Sequence, residues 1–296
     1  MANLRDIRNR ISSVNSTQQI TKAMKMVAAA KLRKAQERMT KTRPYAAKIQ
    51  EVVGRLADSG NVSSPLVEKS DNNENLLFII IGSDRGLCGG FNNNLFKEVE
   101  KRLENEFSSQ LEAETISLVT IGKKATSYFK KRKYNVIESF PGFFDSIEYD
   151  STSAIMESAI SDFVKKTYDE VYLAFNEFKT VIAQNRKIEK VLPIDPSSFN
   201  AKTVDDSKSI IDYIYEPNSK AILDKLLPLH LNTQLWKAVL ESNASEQGAR
   251  MTAMDSATEN AKDLERDLKL KYNQARQSAI TTEISEIVSG AQALSD

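Results

Sequence analysis

The chain has 296 residues, 41 basic and 40 acidic, with one Cys, one His, one Trp, ten Gly and seven Pro. Average usage would supply about twenty Gly and about fifteen Pro, and the shortage falls at the two ends, which excludes a compact all-β protein. One cysteine excludes an internal disulfide framework and suits a reducing compartment, and the longest apolar run, the six residues Leu76 to Ile81, is too short for a membrane span of about twenty.

The first segment, residues 1–58, reads as one long helix. Its only helix breaker before Gly54 is Pro44. Its opening, Met1 to Arg8, has no apolar signal core, and the acid at Asp6 argues against a transit peptide, so a soluble chain that can dock on a membrane complex is expected. Leu4, Ile7, Ile11 and Val14 are spaced three, four and three, the rhythm of a coiled-coil seam. The rhythm returns at Met24, Ala28, Leu32, Ala35 and Met39, then at Ala46, Ile49, Val53 and Leu56. The polar stretch Asn15 to Gln19 is expected to stay helical but to pack loosely, and Pro44 to bend or loosen the rod. About 55 helical residues would span about 80 Å.

Charge is unevenly placed. Residues 1–58 hold thirteen Lys/Arg against four Asp/Glu, a balance of +9, so the rest of the chain carries −8. Such a helix either presents a solvated face or needs an acidic partner.

The middle segment, 75–195, follows a linker at 59–74 and changes period. Leu76 to Ile81, ending in Gly82, has the continuous apolarity of a strand buried on both faces. A helix is predicted from Phe96 to Phe107, a strand over Ile116 to Ile121, and a basic helix from Lys123 to Lys133. A short strand at Val136-Ile137, a helix from Ser153 to Tyr168 with Ser153 near its cap, and one or two strands over Val171 to Phe178 and Val181 to Leu192 complete the segment. The alternation predicts a small α/β, Rossmann-like domain with a mostly parallel sheet.

After a second linker at 196–204, residues 205–296 read as another long helix. From Ser219 onward the pattern is almost unbroken, with Pro228 expected at a bend or a helix start. Met254, Ala257, Ala261, Leu264, Leu268, Tyr272 and Ala275 step by three and four, and Ile280, Ile284, Ile287, Ala291 and Leu294 continue after a one-residue slip. Two heptad-patterned helices at opposite ends of a chain bury each other's stripe, so an antiparallel left-handed coiled coil is predicted, with the C-terminal helix reaching beyond its partner. Between Ala279 and Leu294 only Glu283 and Glu286 are charged. That composition suits either enclosure by another protein or the closing turns of the coil.

Catalytic signatures are missing. The loop Gly82-Ser83-Asp84-Arg85-Gly86-Leu87-Cys88-Gly89-Gly90 lies where an α/β fold would hold a nucleotide, yet it has neither the spacing nor the Lys of a phosphate loop, nor the dinucleotide fingerprint. A tight turn packed backbone to backbone is the first reading, and an anion site at the next helix start the second. Cys88 and His230 are read as structural, and a single His cannot build a Ser-His-Asp triad or a His-rich metal site. No cofactor and no metal are expected.

Several motifs together carry a family resemblance. Ile20-Thr21-Lys22-Ala23-Met24-Lys25-Met26-Val27-Ala28-Ala29, Ser83 to Gly90, Tyr213-Ile214-Tyr215-Glu216-Pro217, Ala244-Ser245-Glu246-Gln247-Gly248-Ala249-Arg250-Met251, Tyr272 to Gln277 and Ile287 to Ala291 are similar to the gamma subunit of the bacterial F-type ATP synthase. Gly248 departs from the small alanine-like residue usual there, a possible local softening of the helix. The resemblance implies a non-catalytic rotor shaft inside a ring of three alpha and three beta subunits, joined below to the epsilon subunit and the membrane c ring. Such a shaft couples proton flow to ATP synthesis or hydrolysis on beta, at the cytoplasmic face of the inner membrane. Matching positions imply beta-subunit contacts at Met24, Lys25, Arg276, Gln277, Thr281 and Glu283, and contacts near the c ring and epsilon at Tyr213 and Glu216. The competing readings are a nucleotide-handling α/β protein with helical arms and a nucleic-acid-binding coiled coil using the basic first helix.

Overall fold

A computed structural model describes residues 4–58, 64–68, 74–195 and 218–295. In chain order the elements are α1 (Leu4–Asp58), β1 (Leu76–Ile81), α2 (Phe91–Glu106), α3 (Ser108–Glu112), β2 (Ile116–Ile121), α4 (Lys123–Lys131), β3 (Val136–Phe140), a 3-10 turn (Phe143–Asp145), α5 (Tyr149–Val164), β4 (Glu170–Phe178), β5 (Gln184–Leu192) and α6 (Ser219–Ser295). The chain falls into two compact units, residues 30–249 and residues 1–29 with 250–296.

In the larger unit the sheet order is β3-β2-β1-β4-β5, with the first four strands parallel and β5 antiparallel to β4. β1 lies at its centre, Ile79 standing between Val119 and Leu173, and all six of its side chains are buried. Alternate residues point to opposite faces. Leu77, Ile79, Ile81, Val119, Leu173 and Phe175 meet α5 (Ile155, Met156, Ala159), the end of α1 (Ile49, Val53, Leu56) and the start of α6 (Leu223, Leu227, Leu231, Leu235). On the other face Leu76, Phe78, Ile80, Leu118 and Ala174 meet α2 (Leu95, Phe96, Val99, Leu103) and α4 (Ala125, Phe129). A third cluster joins Leu32, Ala35 and Met39 of α1 to Leu240 and Ala244 of α6.

Two predicted helix starts need correction. α2 begins at Phe91, five residues before the predicted start, because Asn92 is buried and its side chain bonds back into the loop before it; the polar run Asn92 to Asn94 hid that turn. α5 begins at Tyr149, so Ser153 lies inside it and donates to the Asp150 carbonyl instead of capping the helix. Pro44 and Pro228 both sit within helices that continue past them. β5 turns back along β4 through a hairpin closed by Thr180 and Ala183.

In the smaller unit α1 and α6 run antiparallel. Lys25 pairs with Asp255, Thr258 hydrogen-bonds Thr21 at 2.8 Å, and Ile7 and Leu268 line one groove. Buried or half-buried side chains recur at 4, 7, 11, 14, 18, 21, 24 and 28. The seam therefore crosses the polar stretch through Gln18 and the buried Thr21. On α6, Leu264 is half exposed and the ion-paired Glu265 takes the inward position. From Arg276 to Ala291 every residue of α6 is exposed, so Ile280, Ile284, Ile287 and Ala291 do not continue the intramolecular seam. The antiparallel steps use up the described part of α1 near Tyr272.

The parallel strands β1 and β2 end side by side at two glycines, Gly82 and Gly122. Gly122 has φ +96°, and a Cβ there would lie 2.9 Å from the Gly82 carbonyl oxygen. Gly122→Ala combines a left-handed backbone with a backbone clash, so it should cost about 3 kcal/mol of unfolding free energy. Denaturant titration of the two chains measures that difference, and equal midpoints would contradict the packing described.

Candidate functional site

The sheet reverses its strand order between β1 and β4, and in open α/β sheets the crevice at the carboxyl ends of those strands is where a ligand is held. The loop after β1 enters that region and is bonded to itself and its neighbours. Asp84 accepts three backbone N–H groups, from Lys123 at 2.9 Å, Gly142 at 2.7 Å and Phe144 at 2.9 Å. Two of these lie at the start of α4 and of the 3-10 turn, where a phosphate would be cradled. Here the chain's own carboxylate takes them. Asn92 accepts from the Ser83 amide and donates to Ser83 Oγ at 2.7 Å and to Cys88 Sγ at 3.3 Å. The tight-turn reading of the loop fits this geometry. Leu87 is held at φ 63° with its side chain 65% exposed.

Helix α6 closes the other side of the crevice. Ser245 Oγ donates to the Asn176 carbonyl at 3.1 Å, Gln184 Nε2 donates to the Ser245 carbonyl at 3.3 Å, and the Phe178 amide donates to Glu241 Oε2 at 3.0 Å. One turn beyond Ser245, a Cβ added at Gly248 would lie 3.1 Å from the Val181 carbonyl. The missing side chain lets the helix approach the β4–β5 hairpin, a packing role that the expected softening did not include. Glu241 also receives Arg43 of α1 at 3.0 Å, and its side chain is 1% exposed. Sequence reasoning missed Glu241. Its signal was a carboxylate directly after the apolar run Ala238-Val239-Leu240.

Cys88 and His230 have different surroundings. Cys88 is buried among Ser83, Arg85 and Asn92. His230 lies inside α6 with Nε2 2.9 Å from Gln234 Nε2, and burial pushes its imidazole down to about 4. Nearby is a cavity of about 290 Å³ lined by Arg43, Gln50, Glu177, Gln234, Lys237 and Glu241 among others. Its walls mix both charges, and Gln234 Oε1 is buried there without a partner. Among the described residues no three His, Cys, Asp or Glu side chains group to hold a metal, and no helix is long and apolar enough to cross a membrane.

The residues singled out for partner contact are spread along the two helices. Met24 is half-buried, and Lys25 is engaged by Asp255. Arg276, Gln277, Thr281 and Glu283 are all exposed on α6, with Thr281 Oγ1 donating to the Gln277 carbonyl at 2.9 Å. Tyr213 and Glu216 lie outside the described residues. Around the described positions the smaller unit exposes Ile20, Met26 and Val27 on α1 and Ile280, Ile284, Ile287 and Val288 on α6. In the larger unit Lys31, Lys34, Arg38 and Lys41 form an exposed basic run on α1, with no ion pair among the described residues. These exposed basic and apolar residues offer surfaces for binding.

Over residues 3–294 the chain matches a protein family described as ATP synthase. It is 48% identical over 295 residues to a Chlorobaculum tepidum protein named ATP synthase gamma chain, covering 99% of both chains. A protein of the same name from Chlorobium luteolum is 49% identical over 99% of each chain. Among solved structures, a chain of the Tetrahymena thermophila mitochondrial ATP synthase central stalk and c ring is 26% identical with a TM-score of 0.60, covering 80% of this chain and 99% of that one. A chain of the Euglena gracilis mitochondrial ATP synthase in rotational state 3 has a TM-score of 0.69 at 20% identity, over 98% and 94%, a likeness of fold.

The buried imidazole gives folding a pH dependence of its own. Below pH 6.5 the unfolded chain takes up a proton at His230 that the folded chain refuses until about pH 4. This contribution to stability is complete above pH 6.5 and is lost as the pH falls toward 4. His230→Gln should lower the stability difference between pH 7 and pH 5 by about 2 kcal/mol. Denaturant titrations at the two pH values test this, and an unchanged difference would reject it.

Proposed function

The chain belongs to the family of ATP synthase gamma chains, and on that footing we propose that it is the central rotor shaft of an F-type ATP synthase. The observation that carries the reading is the match across residues 3–294 on a chain whose end helices pair antiparallel and leave basic and apolar faces uncovered. In this reading proton flow through the membrane c ring turns the shaft, and its asymmetry drives the beta subunits in turn through their catalytic states. ATP forms on beta, and this subunit is not catalytic. The donors around Asp84 support that assignment, since the chain's own carboxylate already takes the amides that a phosphate would use.

Residues 1–58 and 205–296 form the shaft, residues 75–195 the foot, and 59–74 and 196–204 the linkers. A ring of three alpha and three beta subunits surrounds the shaft, and epsilon and the c ring meet the foot near Tyr213 and Glu216. Met24, Lys25, Arg276, Gln277, Thr281 and Glu283 are the beta-facing positions. The complex sits peripherally at the cytoplasmic face of the inner membrane. The basic run from Lys31 to Lys41 suits acidic surfaces on the beta subunits. The exposed, low-charge stretch from Ile280 to Val288 suits an enclosing apolar bearing, where deep polar contacts would trap one angle.

Affinity capture from detergent-solubilised membranes tests the assignment: alpha, beta and epsilon chains should be recovered with this one. Retention on DNA without those chains would overturn it. Met24→Lys places a charge at the moving contact, so it should lower protons pumped per ATP hydrolysed while the complex still assembles. A parental pumping ratio would reject that placement.

A further inference from the structure

In the larger unit both long helices and the end of β4 share a buried carboxylate. Glu241 projects from α6, and its two oxygens are divided between elements: Oε1 takes Arg43 of α1 at 3.0 Å, and Oε2 takes the backbone amide of Phe178, the last residue of β4, at 3.0 Å. Its side chain is 1% exposed, whereas that of Arg43 is 51% exposed. Arg43 is steadied in turn by Met39 Sδ at 3.5 Å. One turn along α6, on the same face, Ser245 holds the Asn176 carbonyl and is held by Gln184. A buried ion pair contributes little net stability but has a narrow geometry, and removing one partner leaves the other unsatisfied. A side chain that welds three elements suits the fixing of an angle more than the general stabilising of a core.

The geometry points to Glu241 as a positioning residue for torque: it locks the two shaft helices to the sheet so that rotation of the foot turns the shaft without slack. This rests on the shaft reading above. In the reconstituted complex, Glu241→Ala should leave unloaded ATP hydrolysis near parental while protons pumped per ATP fall by about two- to thirtyfold, the range expected of residues that carry coupling between sites. Glu241→Gln retains an acceptor for the Phe178 amide but loses the charge pair, so it should fall between Ala and the parent. Where the Ala variant does not assemble, Arg43→Met replaces it, because Arg43 is half exposed and its aliphatic stem is kept. Its pumping ratio should also drop. In the isolated chain, a double-mutant cycle of Arg43→Met and Glu241→Gln should show more than about tenfold coupling in the unfolding equilibrium.

Parental pumping ratios for both Glu241→Gln and Arg43→Met in assembled complexes would overturn the inference. So would additivity in the cycle. If instead the parent chain itself fails to assemble with alpha and beta, the shaft reading fails, and the cycle still reports whether the joint exists.

Discussion

A long amphipathic helix in water exposes an apolar stripe that it cannot bury against itself, and helix propensity alone leaves it marginal. This constraint shapes both compact units. In the smaller one, Ile7, Thr21 and Ala28 of α1 and Met254, Ala261 and Leu268 of α6 are buried, each helix supplying cover for the other. In the larger one the same two helices divide their stripes. Leu32, Ala35 and Met39 face Leu240 and Ala244, while Ile49, Val53, Leu56 and the residues from Leu223 to Val239 spread over the sheet. The sheet needs that cover as much as the helices do, because β1 is apolar on both sides.

The α/β domain keeps the topology that in other proteins holds a ligand at the strand ends, but here the positions are filled internally. Asp84 stands where an anion would be bound, and Glu241, Ser245 and Gly248 bring α6 onto the ends of β4 and its hairpin. A crevice closed in this way joins the sheet to a helix pair through side chains of its own. Fold alone does not decide function; the identity of a few polar side chains at the strand ends sets which backbone donors there are already taken.

The seams were readable along most of both helices because a spacing of three and four survives in the residue types themselves. The reading weakened where a polar residue takes a seam position, as Thr21 and Glu265 do, since a hydroxyl with a partner or a carboxylate lying along the surface satisfies burial without being apolar. It failed between Ile280 and Ala291, where the pattern is present and none of the described residues covers it. Periodicity reports that a face needs cover and says nothing about which chain provides it. Helix starts were misplaced at Phe91 and Tyr149 because the first turn of a helix can be polar when loop groups satisfy it.

The sequence by itself determined the helical ends, the buried parallel strands, the basic bias of the first segment, the absence of a phosphate-loop signature and, through its motifs, the family. These follow from composition, spacing and local order, which are properties of neighbours along the chain. The tertiary structure decided that Asp84 caps three amides, that Gly122 sits against the Gly82 carbonyl, that His230 is held neutral, and that Glu241 joins Arg43 to the end of β4. The contacts of Asp84, Gly122 and Glu241 join residues distant in sequence, Arg43 and Glu241 by 198 positions, and the burial of His230 is set by tertiary packing. Hydrogen bonding and desolvation act through space, so no pattern along the chain could have assigned those partners.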